Sequence, residues 1–309
     1  MEKIAVDPDF YSIATGFGTD PQDFQSETTS IASSIARGRL ENGRRYQATK
    51  EDDYWGPSDE QQFEAFEIGD VADRYPSATV RGVDIFPPPV SWMPPNCVFE
   101  VDDVLREWTW RDSFDFIHIR LLYGAFPPEG WDQLYKQAYD ALEPGGWIEQ
   151  MEFDVRVSSD DGTLKKEHQL WEWGPMFIRC AERAGRSLNI HETMRSAIEK
   201  TGFVELHEEK YKIPLGPWPK DKLLKEVGHL QDAHWNAALE GWAMWLLTHF
   251  GEPEPWTKEE VQVFLAKVRI ELKDPHIHAY NPAHRVWARK PTMDELEAKE
   301  ATFKAETSP

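Results

Sequence analysis

The stretch from Ala65 to Pro88, AFEIGDVADRYPSATVRGVDIFPP, decides how the chain is read. Its second half, TVRGVDI, is rich in β-branched residues and ends in Asp84, as a strand of a nucleotide-binding α/β sheet does. Such a strand is normally preceded by another strand, a glycine-rich turn and a helix. Here the only glycine between Gly56 and Gly82 is Gly69, set between Ile68 and Asp70. A helical piece therefore leads into the strand with no strand and turn ahead of it.

Downstream of that gap the pattern is regular. Strands are expected at TVRGVDI (79–85), CVFEVDD (97–103), FDFIHIR (114–120) and WIEQMEFDV (147–155), with a helix in WDQLYKQAYDALEPGG ended by Pro144 and Gly145. Strands alternating with helices imply a doubly wound parallel sheet. Past Val155 helical patterns near 164–184, 189–200, 221–250 and 257–272 surround one strand, FVELHEEKYKIPL, and the strand HRVWARK closes the pattern. Helices inserted before the closing strands are expected to cap the ligand cleft. The chain thus divides into a polar N-terminal segment (1–60), a main domain (61–290) with a helical cap at about 160–275, and a charged tail (291–309). A short helical pattern at 28–40 interrupts the polar segment, and the tail, which lacks an apolar face, is expected to fray.

Composition narrows the partners. With 34 basic against 55 acidic residues, the net charge of −21 repels nucleic-acid phosphates and anionic lipid. No apolar run reaches the roughly 20 residues that span a bilayer, so neither nucleic acid nor membrane is expected, and the cytoplasm or nucleus is the expected location. Cys97 and Cys180 fall in different elements and are expected as buried thiols. None of the ten histidines has carboxylate or thiol partners at ligand spacing on one helix face, and no GxSxG elbow occurs; no metal site or hydrolase chemistry is expected.

A set of phrases in fixed order now carries a resemblance: ENGRRYQ (41–47), YPSATVRGVDIFP (75–87), SWMPPNCVFEVDDVLREWTW (91–110), FDFIHIR (114–120), LEPGGWIEQMEFDV (142–155), SDDGTL (159–164), GPWPKDKLLKEVG (216–228) and AKVRIELKDPHIHAY (266–280). Together they resemble the fungal LaeA-like methyltransferases, class I enzymes and regulators of secondary metabolism that use S-adenosylmethionine. The resemblance implies a Rossmann-like seven-stranded sheet with a helical cap, here shortened by the first strand-turn-helix unit. That unit is worth about 30 residues. It also implies an acceptor among small metabolites and leaves room for a protein partner in a regulatory or biosynthetic complex.

Carried onto this sequence, the resemblance makes Asp84 the acid on the cofactor ribose and Asp102, beside Asp103, the acid on adenine. Two acceptor oxygens suit a vicinal diol. A turn aspartate before Pro87 and a capping Asp-Asp pair are the structural readings of the same residues. His118 and Arg120 alternate with Ile119 where the fourth family strand opens on cofactor and acceptor, and the resemblance gives Ile119 and Arg120 to the cofactor and His118 and Tyr123 to the acceptor. On the cap, Trp242, Trp245 and His249 follow at steps of three and four, which puts them on one helix face and suggests a wall for a flat aromatic molecule. No residue can be assigned as a catalytic base.

The missing glycine turn normally lets the backbone approach the amino-acid part of the cofactor. Its loss leaves open a degenerate paralogue or a reading frame from which an exon has dropped. The polar leader lacks the apolar run needed to fill the gap. The leading reading is a methyltransferase homologue of secondary metabolism; the alternative is a non-catalytic accessory or regulatory protein that binds a metabolite or a protein through the cap.

Overall fold

The computed structural model describes residues 1–7, 39–41, 44–46, 69–86 and 93–307. The helical pattern at 28–40 lies outside them except for its last two residues, which enter the hairpin of β1 (Arg39–Glu41) and β2 (Arg44–Tyr46). The first seven residues are docked: Ile4 packs with Trp218 and Tyr280, and the Asp7 amide donates to the Trp218 carbonyl at 2.8 Å.

The strands expected after the gap all form, yet they divide into two sheets. A short helix, α1 (Gly69–Arg74), leads into β3 (Val80–Asp84), which pairs in parallel with β4 (Cys97–Val101). The turn between α1 and β3 is closed by Asn96, whose amide donates to the carbonyls of Ala72, Tyr75 and Ala78. The second sheet holds β5 (Phe114–Arg120), β6 (Leu142–Phe153), β7 (Val204–Pro214) and β8 (Tyr280–Arg289) in the order β5-β6-β8-β7. β5 and β6 are parallel, and β8 runs antiparallel to both its neighbours. Among the described residues no strand lies between β3 and β5. A central strand would bond to both, and among the described residues the facing edges of β3 and β5 have no partner strand.

One face of the larger sheet is covered by α2 (Pro128–Ala141) and α4 (Ile190–Thr201). Trp131, Leu134 and Tyr135 from α2 and Met194 and Ile198 from α4 pack on Ile148, Val286 and Ala288 of the sheet. The other face leaves His118, Arg120 and His207 exposed, with Phe116 at 53%. The cap is a second apolar cluster built from α3 (Gln169–Arg183), α5 (Lys222–Phe250) and α6 (Lys258–Leu272), with Trp173, Phe177, Trp235, Leu239 and Phe264 at its centre. No helix among the described residues is long and apolar enough to cross a membrane.

Three expectations change. The segment near 189–200 is α4 and belongs to the sheet, because its apolar positions match the groove beside α2. The tail forms α7 (Met293–Thr307), held locally by the Thr292–Glu295 capping pair and the Arg289–Glu295 ion pair. The helix α2 ends at Ala141, so Gly145 (φ 86) serves the irregular start of β6, where its amide donates to the Lys290 carbonyl, and not a helix cap. Both cysteines are free and buried.

Candidate functional site

The parallel strands bring Asp84 and Asp102 together at one end. Asp84 is in register with Val101, and the Asp102 amide donates to the Asp84 carbonyl at 3.0 Å. Both acids also serve the turns they close: Asp84 Oδ1 accepts from the Phe86 amide at 3.0 Å, and Asp102 Oδ1 from the Asp103 amide at 2.8 Å. Asp103 in turn accepts from Leu105. Two carboxylates on neighbouring strand ends fit the adenosine part of S-adenosylmethionine, a diol and an amine. The methionine part calls for amides from a glycine turn after a central strand, and among the described residues no strand leads directly into α1 at Gly69.

Across the break, the end of β5 presents the other sequence-selected residues. His118 Nδ1 lies 3.0 Å from Glu149 Oε1, and Arg285 Nε donates to the same carboxylate at 2.6 Å. These partners hold the Glu149 carboxyl below its ordinary value, with the His118 bond the largest influence. Ile119 points the other way and is buried with Phe126 and Trp131. Arg120 is exposed, with no hydrogen bond or ion pair among the described residues. Tyr123 is half-buried and touches both apolar clusters, joining the sheet to the cap.

What positions Tyr123 is Glu152, a residue that sequence reasoning missed. Its carboxyl is fully buried, accepts from the amides of Leu122 and Tyr123 at 3.2 Å each, and receives Gln150 Nε2 at 3.0 Å. Tyr135 completes the chain by donating to Gln150 Oε1 at 2.6 Å. Burial pushes the Glu152 carboxyl up to about 7. The loop it grips starts at Leu121, a non-glycine residue with φ 54 in the left-handed region. The signal in the sequence was the alternation of Ile148, Gln150 and Glu152, which gives two polar residues to one strand face; only packing shows that this face is the inner one.

Of the three residues expected on one wall, two stack on each other and the third, Trp242, has other ring partners. Trp245 is 6% exposed and stacks on His249 at 4.8 Å, while His249 is exposed near the end of α5. Trp242 is instead braced by Trp235 at 5.6 Å and Trp173 at 6.4 Å, and its histidine neighbour is His234, with ring centroids 5.2 Å apart. Elsewhere, a polar cleft of about 500 Å³ opens between α4, β7 and β8 around His191 and His284. Its charges are spent on one another, Arg156 on Asp154 and Glu192, Lys210 on Glu208. No group of three metal-ligating side chains occurs among the described residues.

Parallel strands ending in paired acids, an antiparallel strand inserted between β6 and β7, and a helical cap over the strand ends define a class I methyltransferase-type α/β protein. A family model described as a methyltransferase domain matches residues 67–208. Methyltransferase pytC of Aspergillus terreus is 31% identical over 306 positions, covering 87% of this chain and 93% of the relative. The secondary metabolism regulator LAE1 of Cochliobolus heterostrophus is 33% identical over 226 positions, 72% of each chain. The chain belongs to the fungal LaeA-like methyltransferase family, whose cofactor is S-adenosylmethionine. The pytC pairing runs over 306 positions while using 87% of this chain, so it crosses positions for which this chain has no residue. Among solved structures, the Haemonchus contortus phosphoethanolamine N-methyltransferase 2 in complex with S-adenosyl-L-methionine is similar with a TM-score of 0.41 and 17% identity, over 72% of this chain and 46% of that one.

Proposed function

We propose that this protein is a methyltransferase homologue serving fungal secondary metabolism, with a small planar aromatic metabolite held under the cap and a cofactor site reduced to its adenosine half. One observation carries the reading. Asp84 and Asp102 stand side by side at the ends of β3 and β4, while the strand that should link them to β5 is lacking among the described residues. The similarity to methyltransferase pytC supports the reaction class, and that to the secondary metabolism regulator LAE1 supports the metabolic setting. The reduced site makes a quantitative claim: S-adenosylmethionine gains nothing over adenosine, because only the shared part finds partners.

Calorimetric titration of the 309-residue chain with both compounds tests this. The expected result is two weak affinities equal within about threefold, both lowered about tenfold or more by Asp84→Ala, the cost of losing a charged acceptor. An S-adenosylmethionine affinity more than about tenfold above that of adenosine would show that another segment cradles the methionine part.

A further inference from the structure

The charges of the polar cleft between α4, β7 and β8 pair off unevenly. Arg156 is well engaged: its guanidinium donates to Asp154 at 2.7 Å, to Glu192 at 2.5 Å and to His191 Nε2 at 3.1 Å. The rest of the lining sets one carboxylate against three bases. Glu208 lies 3.3 Å from Lys210 Nζ, 3.6 Å from Arg195 Nε and 3.7 Å from His284 Nδ1, so groups from α4, β7 and β8 converge on it. At these distances they are ion pairs and not close hydrogen bonds. The Arg195 and Lys210 side chains make no hydrogen bond among the described residues, and the Nδ1 atoms of His191 and His284 are buried without a partner. With three cations and three carboxylates the lining is neutral, in a chain of net charge −21. Donors are in surplus here, as an oxyanion requires.

We infer that this cleft binds the phosphate group of a small metabolite, its oxygens taking donors from Arg195, Lys210 and His284 in the position that the Glu208 carboxylate now holds. Donors arriving from three elements suit a tetrahedral anion better than the planar carboxylate that one arginine fork matches. At about 500 Å³ the cleft has the size of a small-molecule pocket, with room for more than the anion alone. Glu208 is a built-in competitor, two oxygens shared among three bases, which a dianion with three free oxygens can displace. Burial holds His191 and His284 below the ordinary histidine range, and their rings, 4.8 Å apart, oppose each other's charge. His284 faces Glu208 and Lys210 from β7 and Asp154 after β6; His191 faces Asp154, Arg156 and Glu192. A bound dianion favours the charged imidazole, so binding takes up a proton and strengthens as pH falls. None of these residues belongs to the cap or to the strand-end acids, so this site and the proposed function are tested separately.

The first probe is sulfate, a dianion of phosphate's shape whose charge does not change between pH 6 and pH 8, titrated calorimetrically into the 309-residue chain at low salt. Saturable binding about tenfold tighter at pH 6 than at pH 8 is expected. Glu208→Gln should tighten it about tenfold and Arg195→Gln weaken it about tenfold, whereas Lys136→Gln, which removes an exposed cation on α2, should leave it unchanged. At pH 7, glycerol 3-phosphate should bind at least as tightly as inorganic phosphate. Equal sulfate affinity at the two pH values, parent-like binding by Arg195→Gln, or no saturation in Glu208→Gln at pH 6 would overturn the site. A monoester bound more than about tenfold weaker than free phosphate would overturn the metabolite.

Discussion

Replacing Glu152 by Gln exposes a pH dependence that a packing role alone cannot produce. In the folded protein the carboxyl titrates at about 7 against an ordinary value of 4.5, because it is fully buried among neutral partners. The folded state therefore keeps its proton between those values while the unfolded state has lost it. Stability contributed by the neutral acid is full below about 4.5 and falls as pH rises to about 7, remaining lower above. At about 1.4 kcal/mol per pH unit, the span corresponds to about 3 kcal/mol. Gln cannot ionise, so it escapes this loss, but its amide nitrogen turns a donor toward the Leu122 or Tyr123 amide and costs about 1 to 3 kcal/mol at every pH. Urea unfolding followed by fluorescence, at pH 4.5 and at pH 8, separates the two contributions. Every other titrating group is common to both proteins and cancels. The variant should be the weaker protein at pH 4.5, and the difference should close or reverse by about 3 kcal/mol at pH 8. A difference that changes by less than about 1 kcal/mol between the two conditions would mean that Glu152 is ionised throughout, and the account of its burial would be wrong.

The cap offers two simpler tests. Trp245→Ala should cost about 3 to 5 kcal/mol in thermal or urea unfolding, whereas His249→Ala, at an exposed position, should stay within about 1 kcal/mol of the parent. A Trp245→Ala protein that melts like the parent would refute its place in the core. At Gly228 an added Cβ would lie 2.1 Å from the Gly216 carbonyl oxygen, against backbone that cannot turn aside, so Gly228→Ala should destabilise by more than about 2 kcal/mol despite its better helix propensity. A neutral or stabilised variant would show that α5 shifts freely over the 216–219 turn.

Much of the fold was legible from local pattern. FDFIHIR became β5 with the same limits, and the helical periods past Val155 became α3, α4, α5 and α6 within a few residues, since apolar spacing and caps act over one or two turns. Asp84 and Asp102 could be placed at strand ends for the same reason. Spacing along α5 groups Trp242, Trp245 and His249, but it could not show the braces that orient Trp242, which come partly from α3, distant in sequence. Nor could Glu152 be found, because an alternating strand does not say which of its faces will be buried.

The amino-acid sequence by itself determined which segments are strands and helices, their order, and that a glycine turn is lacking before the strand ending at Asp84, because these are properties of neighbouring residues. Only the tertiary structure decided what that lack does. Strand pairing is a long-range choice, and among the described residues β3 pairs with β4 while β5 pairs with β6, with no strand between the two sheets. Asp84 and Asp102 and the end of β5 therefore lie in separate sheets, although the sequence lists them as consecutive parts of one.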